Sequence, residues 1–248
     1  MMRTRNQMIS AAAVLLATSG VGVAVAAAPA GPAALPKGSE PVKMNPADFT
    51  TRLDNRYWPM RKRSRWVYRE TDNEGAKQRV VVTVTGRTKL IANGVRARVV
   101  RDVVTERGVP VEVTDDYYAQ DRAGNIWYLG EATTEYENGK PTSTAGSFEA
   151  GVDGAQAGII MPAKPKVGLA YREEYYAGHA EDKARVVSLR EQAGVPFGHF
   201  RHVLMTRNTN PLEPRSVEFK FYARGVGPVL AVGVSGGSDR EDLVRFKS

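Results

Sequence analysis

The residues best placed to do chemistry in this sequence are carboxylates gathered around one predicted hairpin. Asp115, Asp116, Glu131 and Glu135 fall in and just after the stretch TDDYYAQDRAGNIWYLGE, with Glu137 close behind. A hairpin brings Glu131 near Asp115 or Asp116, whichever the register selects. Two carboxyls beside Tyr and Trp suit a glycoside hydrolase or a general acid–base isomerase, since apolar neighbours raise the pKa of one acid. Charged alternation on the outer face of a sheet has the same pattern, so catalysis by this group stands as an alternative. The histidines offer less. His199 and His202 are three apart, on opposite faces of a strand. His179-Ala180-Glu181-Asp182 brings an imidazole and two carboxylates within reach of one cation in a turn. His179, Glu181 and Asp182 are therefore the candidate metal ligands, but no His-x-His or Glu-x-x-His spacing supports them and no metal or cofactor is expected. There is no Gly-x-Ser-x-Gly elbow, and a chain without cysteine has no thiol chemistry.

The elements that must position these groups are strands. Asp121-Arg122-Ala123-Gly124-Asn125 reads as the hairpin turn, because Gly and Asn tolerate left-handed backbone angles. Period two then puts Asp116, Tyr118 and Gln120 on one face and Asp115, Tyr117 and Ala119 on the other. On the returning run it groups Trp127, Leu129 and Glu131 against Ile126 and Tyr128. Asn93-Gly94 and Asn138-Gly139 mark further hairpins. In 216–223, Val217, Phe219 and Phe221 oppose Glu218, Lys220 and Tyr222. Roughly a dozen short strands at this spacing predict an all-β domain: one antiparallel barrel, or a strongly curved half-barrel. Residues 140–168, with their Gly and Pro, read as a long loop over one end. Tyr118, Trp127, Tyr176 and Tyr222, with Ile160 and Met161 from that loop, are the candidate ligand-binding residues if one face lines a cavity.

Arg3 and Arg5 precede an apolar run from Met8 to Val25 and two small-x-small patterns, so residues 1–30 read as a signal peptide cleaved near Ala26 to Ala30. Residues 31–50 read as a disordered leader and 51–248 as a single β domain. The formal charge of +8 falls to +6 without Arg3 and Arg5. Basic residues are scattered apart from Arg61, Lys62, Arg63 and Arg65, a patch for contact with cell-wall polymer or a membrane surface. Export makes a nucleic-acid partner unexpected.

Two stretches carry a resemblance. Val195-Pro196-Phe197-Gly198-His199-Phe200 and the later Tyr222-Ala223-Arg224-Gly225-Val226-Gly227-Pro228-Val229 resemble the VPxGxF … YAxGVGxV ending of exported bacterial proteins. The 114–131 hairpin and Gly151-Val152-Asp153-Gly154-Ala155 look like marks of an actinobacterial-type secreted subgroup. The resemblance covers most of residues 55–235. It implies a curved antiparallel sheet like those of envelope lipid carriers, and transfers no catalytic residue. The Gly-x-Gly itself reads as a corner in a sheet, since the strand-to-helix context of a phosphate site is missing. The leading expectation is a secreted, non-catalytic barrel holding an apolar or amphipathic molecule. The acid–base enzyme is the alternative, and a cell-wall-associated structural protein the second.

Overall fold

A computed structural model describes residues 34–248. The signal-peptide segment lies outside the described residues. A single 3-10 turn, Pro46–Asp48, is capped by Asn45, whose side chain accepts from the Ala47 amide. The described chain is otherwise strands and turns: β1 (Phe49–Thr50), β2 (Arg65–Thr71), β3 (Lys77–Leu90), β4 (Arg96–Glu106), β5 (Val109–Asp121), β6 (Ile126–Glu137), β7 (Lys140–Ser143), β8 (Phe148–Glu149), β9 (Gln156–Met161), β10 (Ala170–Arg172), β11 (Glu174–Tyr175), β12 (Lys183–Val195), β13 (Gly198–Asn210), β14 (Glu213–Ala223), β15 (Gly227–Ser235) and β16 (Arg240–Lys247). The 140–168 stretch thus holds β7, β8 and β9 between its turns.

All pairings are antiparallel, and the sheet runs β10-β12-β13-β14-β15-β16-β2-β3-β4-β5-β6-β9-β11. The hairpins follow their turn chemistry. Arg107-Gly108 and Asn138-Gly139 both take positive φ at both positions, the conformation whose twist matches flanking strands. Register shifts between Val84 and Thr88 in β3, and between Val186 and Glu191 in β12, bend these long strands. With those bends the sheet curls into a nearly closed barrel.

Closure falls on one extended run, 170–175. Its first half, β10, pairs with β12, and its second half, β11, pairs with β9 at the other end of the sheet. The switch residue is Glu173, whose carbonyl oxygen lies where a Cβ on Gly158 would sit, 2.2 Å away. Next to it the wholly buried Arg172 reaches across the seam: Nε and Nη2 donate to the Ala157 carbonyl at 3.1 and 3.0 Å. Nη1 donates to the Glu40 carbonyl at 2.7 Å and to that of Gly38, while the Arg172 amide donates to Pro36. Residues 35–44, expected to be disordered leader, are therefore docked along the seam. Leu35, Val42 and Met44 pack against the core. Their small and Pro-rich composition hides this, because the docking runs through backbone carbonyls.

One end of the barrel is filled by residues 51–64. Leu53, Tyr57 and Met60 are each 2% exposed, and burial of this kind stabilises by roughly 1.5–3 kcal/mol per side chain. Gln120 fastens this segment, accepting from the Asp54 and Asn55 amides at 2.9 and 3.0 Å. Trp66 Nε1 and the Tyr68 hydroxyl donate to the carbonyls of Val226 and Pro228. Gly227, at φ +108, leaves the space its neighbours occupy, since a Cβ there would come within 2.9 Å of Trp58. The Gly-x-Gly corner is thus explained by two indoles rather than by a phosphate.

Seam closure yields an expected outcome. Gly158→Ala drives a methyl into the Glu173 carbonyl, and Arg172→Met removes both guanidinium donors from the buried Ala157 carbonyl. Each should lower unfolding free energy in urea by about 3 kcal/mol. A change below about 0.5 kcal/mol for both would show that the seam is not a stabilising contact.

Candidate functional site

Acid-bearing faces of several strands point inward. The barrel encloses a cavity of about 1410 Å³ that is partly open to solvent. Glu218, Lys220 and Tyr222 of β14 line it, as do Asp102 of β4 and Asp116 and Tyr118 of β5. The floor is aromatic. Trp58, rising from the end segment, lies 6.0 Å from the Tyr118 ring and 5.8 Å from the Tyr222 ring, bridging strands on opposite sides of the barrel. Tyr118 in turn stacks on Tyr128 at 5.0 Å.

The aromatic row ends on two carboxyls. The Tyr128 hydroxyl sits 2.8 Å from Asp116 Oδ1 and 2.9 Å from Glu131 Oε2. One phenol has one proton to give. The second contact is a hydrogen bond only when that carboxyl carries a proton and donates to the phenol oxygen. The electrostatics agree. Burial, then the charge of Glu131, push Asp116 well above the usual range. Burial raises Glu131 to about 7 against the opposing hydrogen bond from Tyr128.

Strict alternation would have put Glu131 on the face opposite Tyr128. A β-bulge changes that. Tyr118 pairs with Tyr128 and Asp116 with Glu131, so β6 carries one residue more than β5 between the two pairs. The bulge lies at Gly130, φ +135, where a Cβ would come within 2.3 Å of the Phe148 carbonyl. An isolated glycine inside a strand pattern is the sequence signal for this feature.

A second group of acids lies beside the first. Glu174 and Asp182 hydrogen-bond each other, and burial followed by the charge of Asp182 raises Glu174 well above its usual value. Burial also raises Asp182, with Lys220 opposing. Glu173 Oε2 accepts from Asn208 Nδ2 at 2.7 Å, while its Oε1 is buried without a hydrogen-bond partner. Burial lifts this acid to about 7, partly offset by Lys220. Burial disfavours the Lys220 ammonium, but Glu218, at 3.3 Å, and Glu173 outweigh that and keep it charged. Glu173, Glu174 and Lys220 are not among the candidate site residues that the sequence offers; the buried neighbours that make them matter come from distant strands.

The remaining candidates divide. Glu135, Ile160, His179 and Asp182 line the cavity with Asp116, Glu131, Tyr118 and Tyr222. Asp115 points outward. Burial alone would raise it, but hydrogen bonds from Arg101 and Arg87 hold it below its usual value, so it is no partner for Asp116. Trp127 faces away from the cavity, edge-on to Phe49, with its Nε1 donating to Asp121. Met161 is fully buried in the core, and Tyr176 stacks on His179 at 4.3 Å outside the lining. Glu181 accepts from the Gly178 amide, and no group of three metal-ligating side chains is found among the described residues. Arg61, Lys62, Arg63 and Arg65 are exposed around the turn with which the end segment closes.

The raised acids set a pH dependence. The folded protein holds protons on Glu131 and Glu173 up to about pH 7, whereas the unfolded chain releases them near 4.5. Proton uptake is greater in the folded state across that window, so stability falls as pH rises through it, by roughly 3 kcal/mol for each of the two acids. Thermal melts of Glu131→Gln should show a shallower decline between these limits than the parent. Parallel pH profiles would contradict the assignment.

No protein-family model matches the chain, and no curated protein does. Among solved structures it is similar to a putative lipoprotein from Parabacteroides distasonis, at 13% identity over 77% of this chain and 98% of that one, with a TM-score of 0.41. A likeness at that level carries no functional argument.

Proposed function

We propose that this chain is an exported, non-catalytic binding protein that holds an amphipathic molecule in its barrel. The observation that carries the reading is the division of one cavity into an aromatic floor and a carboxyl wall. A wholly apolar ligand would leave buried acids beside it without water, at a cost of a few kcal/mol each. A molecule with one apolar and one polar part satisfies both surfaces. Ala145, Gly146 and Ile160 bring the 140–168 segment to the lining, where it can gate entry. The predicted signal peptide and the resemblance to exported proteins support the address, and the basic turn at 61–65 offers a contact for acidic envelope polymer. Protein recovered from culture medium should show a bound amphiphile by native mass spectrometry, and the emptied protein should enhance the emission of N-phenylnaphthylamine. Tyr222→Ala should weaken that binding about tenfold. An empty protein that leaves the dye dark would refute a carrier.

One geometric fact favours a second reading. Asp116 and Glu131 meet on a single phenol in a cleft, the arrangement that general acid–base chemistry needs. If the protein is an enzyme of that type, Asp116→Asn should cut its turnover by at least about 100-fold while its melting stays cooperative. Unchanged turnover would remove this pair from any mechanism.

A further inference from the structure

The sign of the cavity is opposite to the sign of the chain. Fifteen of the 27 Asp and Glu residues line it, against two of the 35 Lys and Arg, namely Arg215 and Lys220, together with His179. A chain of formal charge +8 thus gathers acids on one concave, partly desolvated wall, where low-dielectric surroundings concentrate the field. Solubility does not call for this, because solvated acids on the outer surface would serve it without burial.

We infer that the molecule held in the cavity is a cationic amphiphile, with an amine or ammonium head set among the carboxyls and an apolar part laid along the aromatic floor. This inference rests on the carrier reading and narrows it. Three observations point the same way. Glu173 is 4% exposed, lines the cavity, and has one carboxylate oxygen with no hydrogen-bond partner, so the site holds an unmet acceptor. Lys220 does not fill that need, because it is engaged by Glu218. The row Tyr222–Trp58–Tyr118–Tyr128 runs without a break into Asp116 and Glu131, offering ring faces to an ammonium next to two carboxyls that a bound cation would help to ionise. Among the described residues no three such groups cluster tightly enough for a metal ion, so the negative charge is spread as a wall. A spread wall suits an organic cation, whose charge is diffuse and whose position is set by its apolar part.

The test uses three probes with one chain length: dodecyltrimethylammonium, dodecyl maltoside and dodecanoate, titrated below micelle formation at pH 7.5. Trp fluorescence and native mass spectrometry report binding to the emptied mature protein. The ammonium should bind at least about tenfold more tightly than dodecanoate, although simple adsorption to a basic surface would favour dodecanoate. The paired substitution Glu131→Gln with Glu173→Gln should erase that preference and leave maltoside binding unchanged. If the pair fails to fold, Asp116→Asn with Glu131→Gln makes the same measurement. Equal binding of all three probes, or tighter binding of dodecanoate, overturns the inference and leaves the carrier intact. No binding of any probe overturns the carrier reading and this inference with it.

Discussion

The structure depends on how a long antiparallel sheet disposes of its two ends. An open edge is a row of unpaired amides and carbonyls, and covering it is a condition for an isolated, soluble sheet. Here one run of six residues, 170–175, serves both edges by changing partner at Glu173. That change is sterically permitted because position 158 is glycine. It is held because Arg172 spans the seam with donors that no shorter side chain supplies, and because residues 35–44 lie alongside to accept from it. Burying a guanidinium costs solvation, and that cost lowers the Arg172 pKa. Three backbone carbonyls replace the water.

Closing the sheet this way frees its interior from being the whole core. Apolar burial is supplied by the end segment with Leu53, Tyr57 and Met60, and by the outer face of β4 and β5, where Ala97, Val99, Tyr117 and Ala119 are buried. Phe49 extends that outer layer by packing edge-on to Trp127. With stability provided outside and below, the inner wall can carry acids whose ionisation is unfavourable in the empty protein. The arrangement is a site held ready at some expense of stability, a pattern typical of functional sites rather than of structural sheets.

Much of the fold was legible in the sequence. The period-two patterns, the Asn-Gly turns and the 121–125 reversal all correspond to observed elements, and the Asp121 amide does donate to the Asn125 carbonyl. What alternation cannot tell is which face turns inward. Phe219 and Phe221 look like part of a core face, yet it is their neighbours Glu218, Lys220 and Tyr222 that line the cavity. Adjacent Asp115 and Asp116 are equivalent in sequence and opposite in space. Alternation puts Glu131 on the wrong side of its strand, because one residue of bulge at Gly130 inverts everything beyond it. The apolar run at 159–161 belongs to a strand because β6 pairs with it, a long-range fact with no local mark.

The most direct measurement of the account is native-state hydrogen exchange along 170–175. A closed seam predicts that the amides of Arg172 and Glu173, which donate to Pro36 and Asp182, exchange as slowly as those in the middle of β4 and β5. Exchange of those amides at the rate of the exposed turn at 107–108 would mean that the sheet ends do not meet, and that the enclosed carboxyl wall does not exist in solution.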